Sequence, residues 1–130
     1  MKKVARAIII TNNKFLLGKR GRNDAVGKWA LIGGKPEEAE SMENAIVREV
    51  QEELGLIFHP TLWMKEIDDT FGQGEPWEVY YFWGTAEGAV NFNKEEILDV
   101  GFFEEKDLKG LDIAFDHKKI LEKFLQDAIE

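Results

Sequence analysis

Hydrophobic positions fall into short runs at strand spacing, separated by polar or glycine-rich turns, and twice the spacing changes to that of a helix. Residues 4–11 and 14–19 are β-branched or apolar runs joined by Asn12-Asn13, a pair that tolerates left-handed turn geometry, so the chain opens with a predicted β-hairpin. Residues 21–28 read as a polar loop. Residues 29–32 read as a short strand ending at Gly33-Gly34, where the backbone can turn sharply. Ser41 is a plausible N-cap for a helix running to about Leu54, with Glu43 and Asn44 in its first turn and Gly55 as its stop. Residues 62–71 and 77–86 have the composition of two pairing strands, connected through Gly72-Gln73-Gly74-Glu75-Pro76. A strand at 97–103, a helical turn at 104–108 and a closing helix at 116–129 complete the order; Ile120, Leu121, Phe124, Leu125 and Ala128 give that helix its apolar stripe. Strands in runs with two separated helices, and no strict strand–helix alternation, predict an α/β fold: a mixed sheet layered between helices.

Composition narrows the chemistry. The chain of 130 residues suits a single domain over 1–130 with one core. A net charge of −8, from 25 acidic and 17 basic residues, argues against nucleic acid polymers and anionic membranes as partners. With no cysteine, thiolate metal sites and cysteine nucleophiles are excluded, so any metal would be held by oxygen or histidine. The N-terminal apolar run is interrupted by Arg6, too short to span a membrane and without a small-residue cleavage pattern, and the expected location is the cytoplasm.

The stretch GKPEEAESMENAIVREVQEELGL, residues 34–56, carries the candidate chemistry. On a helix, taking Glu49 as zero puts Glu53 at about +40° and Glu52 at about −60°, so three carboxylates share an arc of roughly 100°. Ile46, Val47, Val50 and Leu54 occupy an adjacent arc suited to a core. Like charges so crowded destabilise an isolated helix. Arg48 alone cannot balance three of them, which points to a hard divalent cation such as Mg²⁺ or Mn²⁺. An acidic helix face is ordinarily just solvated surface; the glycines and Arg48 at fixed offsets set this one apart.

These residues match G-x5-E-x7-R-E-U-x-E-E-x-G-U (U apolar) at Gly34, Glu40, Arg48, Glu49, Val50, Glu52, Glu53, Gly55 and Leu56, so the chain resembles the Nudix hydrolases. Leu16-Leu17-Gly18-Lys19-Arg20 and Lys28-Trp29-Ala30-Leu31 look like the segments preceding that motif in the family. The resemblance implies an α/β/α sandwich and Mg²⁺- or Mn²⁺-dependent hydrolysis of a nucleoside diphosphate linked to another moiety. Glu52 and Glu53 would be direct metal ligands and Glu49 a further ligand or the water-activating base. The Gly33 carbonyl would complete the metal shell, Arg48 would orient a catalytic glutamate, and Glu40 would be an outer ligand or supporting carboxylate. A further carboxylate from outside the motif often assists in the family, with Glu95 or Glu96 as candidates here. Two departures stand out: Ile32 where relatives often have Pro, and Ala39 where they often have Gly.

Substrate contacts have weaker signals. Lys19, Arg20, Arg22, Lys28 or Lys35 could clamp phosphate oxygens. The alternating aromatics of 77–83 would send one set to the core, leaving Trp77 among those able to line a nucleotide pocket. Asp116 reads as a helix cap and His117 as a first-turn residue. The flanking segments look most like relatives that cleave nucleoside triphosphates, including those that remove oxidised nucleotides; ADP-ribose or a nucleotide sugar is the alternative, and a ligand-binding regulator without catalysis the reading of a different class. The expected partner is a small nucleotide-type substrate, met by a monomer or homodimer.

Overall fold

The computed structural model describes residues 1–68 and 75–129. Its elements are β1 (Lys2–Thr11), β2 (Lys14–Arg20), β3 (Trp29–Ala30), β4 (Ile32–Gly34), α1 (Met42–Leu54), β5 (Ile57–Asp68), β6 (Trp77–Glu87), β7 (Ile97–Phe103), a 3₁₀ turn (Glu105–Gly110) and α2 (His117–Ile129). Among the described residues seven strands join in one sheet, ordered β3-β2-β1-β6-β5, with β4 on β1 and β7 on β2. β1 and β6 run parallel while the other pairs are antiparallel, so the sheet is mixed, as predicted.

Alternation along the strands divides the core into two layers. Ala5, Ala7, Ile9 and Leu16 pack with Ile46, Val50 and Leu54 of α1 on one face. Val4, Ile8, Leu17, Val79 and Tyr81 pack with Ile120, Leu121 and Phe124 of α2 on the other. β1 is shared along a single edge: Ile9–Thr11 pair with β2, whereas Ala5–Ala7 pair with β4. This split sets Gly33 and Gly34 beside the middle of β1, at the foot of α1.

Boundaries move where long-range pairing outweighs local signals. Residues 29–32 form two strands, because the chain leaves β2 at Ala30 and joins β1 at Ile32. β5 begins at Ile57 rather than Leu62: it is an edge strand, where Pro60 is tolerated, and pairs with β6 along its length. The predicted strand end at 69–71 and residues 72–74 of the connection lie outside the described residues. The 3₁₀ turn starts one residue later and ends two residues later than predicted, and α2 starts at His117 rather than at 116. No helix among the described residues is long and apolar enough to cross a membrane.

Candidate active site

α1 begins and ends where its caps dictate. Ser41 Oγ accepts the Asn44 N–H at 3.1 Å, and Gly55, left-handed at φ 70°, donates its N–H to the Gln51 carbonyl at 2.9 Å. With Ala45, Ile46, Val50 and Leu54 buried, the helix turns Arg48, Glu49, Glu52 and Glu53 along its flank.

Arg48 is the hub of that flank. Its Nε and Nη2 donate to the two oxygens of Glu40, both at 2.9 Å, in a fork that holds the carboxylate rigidly. Nη2 also donates to the Lys35 carbonyl at 3.0 Å, and Nη1 donates to Glu49 at 2.9 Å and Glu52 at 3.2 Å. These carboxylates raise the Arg48 pKa and keep the guanidinium charged. Glu40 is lowered, by the Arg48 hydrogen bond first and then by the Glu37 N–H donated at 2.8 Å. Both Glu40 oxygens are thus committed to Arg48 and the loop.

Glu49 and Glu53 form an inner pair. A Cβ built on Gly34 would lie 2.3 Å from Glu49 Cδ, so the missing side chain is the space that Glu49 occupies. A Cβ on Gly33 would lie 2.1 Å from the Ala5 carbonyl oxygen, which lets β4 close on β1. Glu53 Oε2 is buried without a hydrogen-bond partner among the described residues. Burial first, and the Glu49 charge second, push the Glu53 pKa up to about 9. Burial also raises Glu49, with Arg48 opposing.

This donor set suits a hard cation. A desolvated carboxylate oxygen with no donor, beside a second carboxylate and behind a glycine, is the arrangement that a bound divalent metal would satisfy. Glu52 is exposed and held toward Arg48. Among the described residues no three Asp, Glu or His side chains converge as a ligand group, so the predicted trio divides into an inner pair and an outer member.

The outlying candidates separate in the same way. Glu96 pairs with Arg22 and adds to the negative field on Glu53, whereas Glu95 is exposed and its N–H donates to Asn93 Oδ1. Arg20 Nε donates to the Asp24 carbonyl, and its guanidinium lies 4.9 Å from the Phe115 ring centre. Lys28 turns to Asp112 at 3.8 Å, while Lys35 lies over Trp77 at 5.0 Å. Trp77 packs partly against the α2-side core.

Two features escaped the sequence reading. Ile113, Phe115, Asp116, Lys118 and Lys119 line a cavity of about 580 Å³, within the range of small-molecule sites. Asp116 is raised there, by burial and then by Asp68. Phe115 is 45 % exposed at φ 56°, a large aromatic in a strained turn beside an acid, which the sequence shows only as the neighbouring pair Phe115-Asp116. Arg6, half-buried in β1, acts electrostatically on both Asp116 of that cavity and Glu53. His117 does not reach the cavity as a ligand; it is buried, and Nδ1 accepts the Leu31 N–H at 3.1 Å.

Comparison with known proteins supplies independent findings. The NUDIX domain model matches residues 1–124. An ADP-ribose pyrophosphatase of Methanocaldococcus jannaschii is 33% identical over 121 residues, 92% of this chain and 70% of the relative. A nucleoside triphosphatase NudI of an Enterobacter species is 34% identical over 119 residues, 82% of this chain and 84% of the relative. The crystal structure of a MutT NUDIX hydrolase from Burkholderia pseudomallei superposes with a TM-score of 0.81 at 27% identity, covering 93% of this chain and 95% of that one.

Proposed function

Because the chain belongs to the Nudix hydrolase family, we propose that it is a metal-dependent pyrophosphohydrolase whose substrate is a (deoxy)nucleoside triphosphate, oxidised ones included, cleaved to the monophosphate and pyrophosphate. The observation that carries this reading is the inner pair: Glu53 with a buried, partnerless oxygen, against Glu49 in the space left by Gly34. A ligand-binding regulator has no physical need for such a pair.

Glu53 and Glu49 would hold Mg²⁺ or Mn²⁺ with the Gly33 carbonyl beside them, and Glu52 would join them by turning away from Arg48. The bound metal supplies neutralisation of the pyrophosphate charge and a lowered pKa for the attacking water. Glu49 would be a further ligand or would accept a proton from that water, with Arg48 donating to its Oε1 and both of its oxygens against Gly34. Arg48 positions Glu49, and the Glu40 fork positions Arg48. Glu96, held by Arg22, is the better placed of the two extra carboxylates.

The NudI relative, matched over most of both chains, supports the triphosphate choice. The Methanocaldococcus relative favours a second reading, ADP-ribose or a nucleotide sugar. The proposal includes one catalytic domain acting in the cytoplasm as a monomer or homodimer, on small nucleotides rather than polymers, in keeping with a charge of −8 and no cysteine. Release of phosphate or pyrophosphate from a panel of nucleotides, with and without Mg²⁺, tests it. Absence of metal-dependent turnover on every diphosphate-linked compound would sink the enzymatic reading. Much faster cleavage of ADP-ribose than of any triphosphate would sink the substrate choice alone.

A further inference from the structure

Lys2, Lys3 and Lys35 gather with Pro36 around Trp77 and line a cavity of about 280 Å³. Strand register builds this corner. Lys2 stands opposite Trp77 where β1 and β6 run parallel, and Gly34 stands opposite Ala5, so Lys35 leaves β4 toward the N-terminal end of β1. The Lys35 and Lys2 ammonium groups lie 5.0 and 5.5 Å from the Trp77 ring centre, a cation–π arrangement that holds two positive charges at one aromatic ring. Lys2 reaches Glu75 at 3.1 Å through an exposed pair that an incoming anion can readily replace, and Lys3 lies 3.9 Å from the half-buried Glu78, which Tyr80 and Lys65 also engage. Lys35 makes no ion pair among the described residues.

The corner adjoins the catalytic carboxylates. The Lys35 carbonyl accepts from Arg48, and the next residue back, Gly34, provides the space for Glu49. Along β1, Lys3 is two residues from Ala5, about 6.6 Å at the strand rise, which is within reach of a short polyphosphate. The Arg6 charge acts on Glu53 and also on Asp116, which lines the larger cavity with Phe115. In a chain of net charge −8, concentrated cations of this kind are needed wherever an anion must be held.

We propose that Lys2, Lys3 and Lys35 around Trp77 form a subsite for the phosphate-bearing group beyond the cleaved bond, selecting substrates that end in phosphate over those that end in a neutral sugar. This rests on the proposed hydrolase function and specifies its substrate class. The Lys2→Gln/Lys3→Gln double variant, altered at exposed positions, tests it in two ways. With a nucleoside triphosphate, KM rises about tenfold and kcat stays within about twofold, while KM for a nucleotide sugar of the same base is unchanged. Equal effects on both substrates, or none on either, overturn the subsite. Calorimetric titration of inorganic pyrophosphate into the metal-free protein reads the subsite without turnover: the expected result is binding by the wild type, about tenfold weaker in the double variant and weakened by salt. Pyrophosphate that binds both proteins equally, or neither at millimolar concentration, overturns the proposal even if hydrolysis is observed. If pyrophosphate binds as expected and no nucleotide is cleaved, the subsite stands and the hydrolase reading fails.

Discussion

Glu53 carries a cost in the metal-free protein, because burial and a neighbouring carboxylate both oppose its ionised form. A carboxyl whose pKa is raised by folding contributes stability that is full below its ordinary value of 4.5 and lost as pH rises toward about 9. Glu53→Gln removes the charge and keeps the shape, so at pH 8 the metal-free variant is expected to unfold at a higher temperature than wild type, by about 1–3 kcal/mol in stability. Thermal denaturation in a chelator checks this; an equal or lower Tm would contradict it. Ala39 makes a second residue-scale prediction. It sits at φ 64°, in the left-handed region, where relatives often carry Gly. Ala39→Gly is expected to stabilise by about 0.5–1 kcal/mol in urea denaturation, as the steric strain relieved exceeds the entropy lost.

At the scale of the element, α1 was legible because its determinants are local: Ser41, Gly55 and the apolar stripe fix both ends and the outward arc of carboxylates. What the sequence concealed was long-range. Pro60 and the polar start of β5 hide a strand that exists through pairing with β6, and the division of the trio depends on Arg48 drawing Glu52 outward while Gly34 admits Glu49. The cavity at Phe115 and Asp116 was hidden for the same reason, since the neighbouring Arg6 and Arg20 come from other strands. α2 supplies the element-scale test. His117 fixes its first turn to the sheet by accepting the Leu31 N–H, and burial drives its pKa well below 6.5. A lowered histidine pKa means that the unfolded chain binds the extra proton first. Stability is therefore full above pH 6.5 and falls below it, by up to about 1.4 kcal/mol per pH unit from this group. In His117→Asn, whose Oδ1 can take the same hydrogen bond, the dependence between pH 6.5 and 5 should flatten; an unchanged slope would assign it elsewhere.

At the scale of the whole molecule, the split edge of β1 connects fold to chemistry. β2 holds its C-terminal end and β4 its middle, which brings the glycine turn, the α1 carboxylates and the lysine corner to one region of the sheet. The fold and the carboxylate cluster specify a reaction class; the proposed subsite would add selection of the substrate at the lysine corner. A metal that binds only the ionised inner pair would also couple stability to pH, so Mg²⁺ should raise Tm more at pH 8 than at pH 5. The central claim, that the inner carboxylate pair serves metal-dependent phosphoanhydride hydrolysis, is tested most directly by pyrophosphate release from nucleoside triphosphates by wild type and Glu53→Gln, each with and without Mg²⁺. The account predicts Mg²⁺-dependent turnover by wild type and a loss of at least about 100-fold in the folded variant; turnover that is independent of Mg²⁺, or retained in Glu53→Gln, would contradict it.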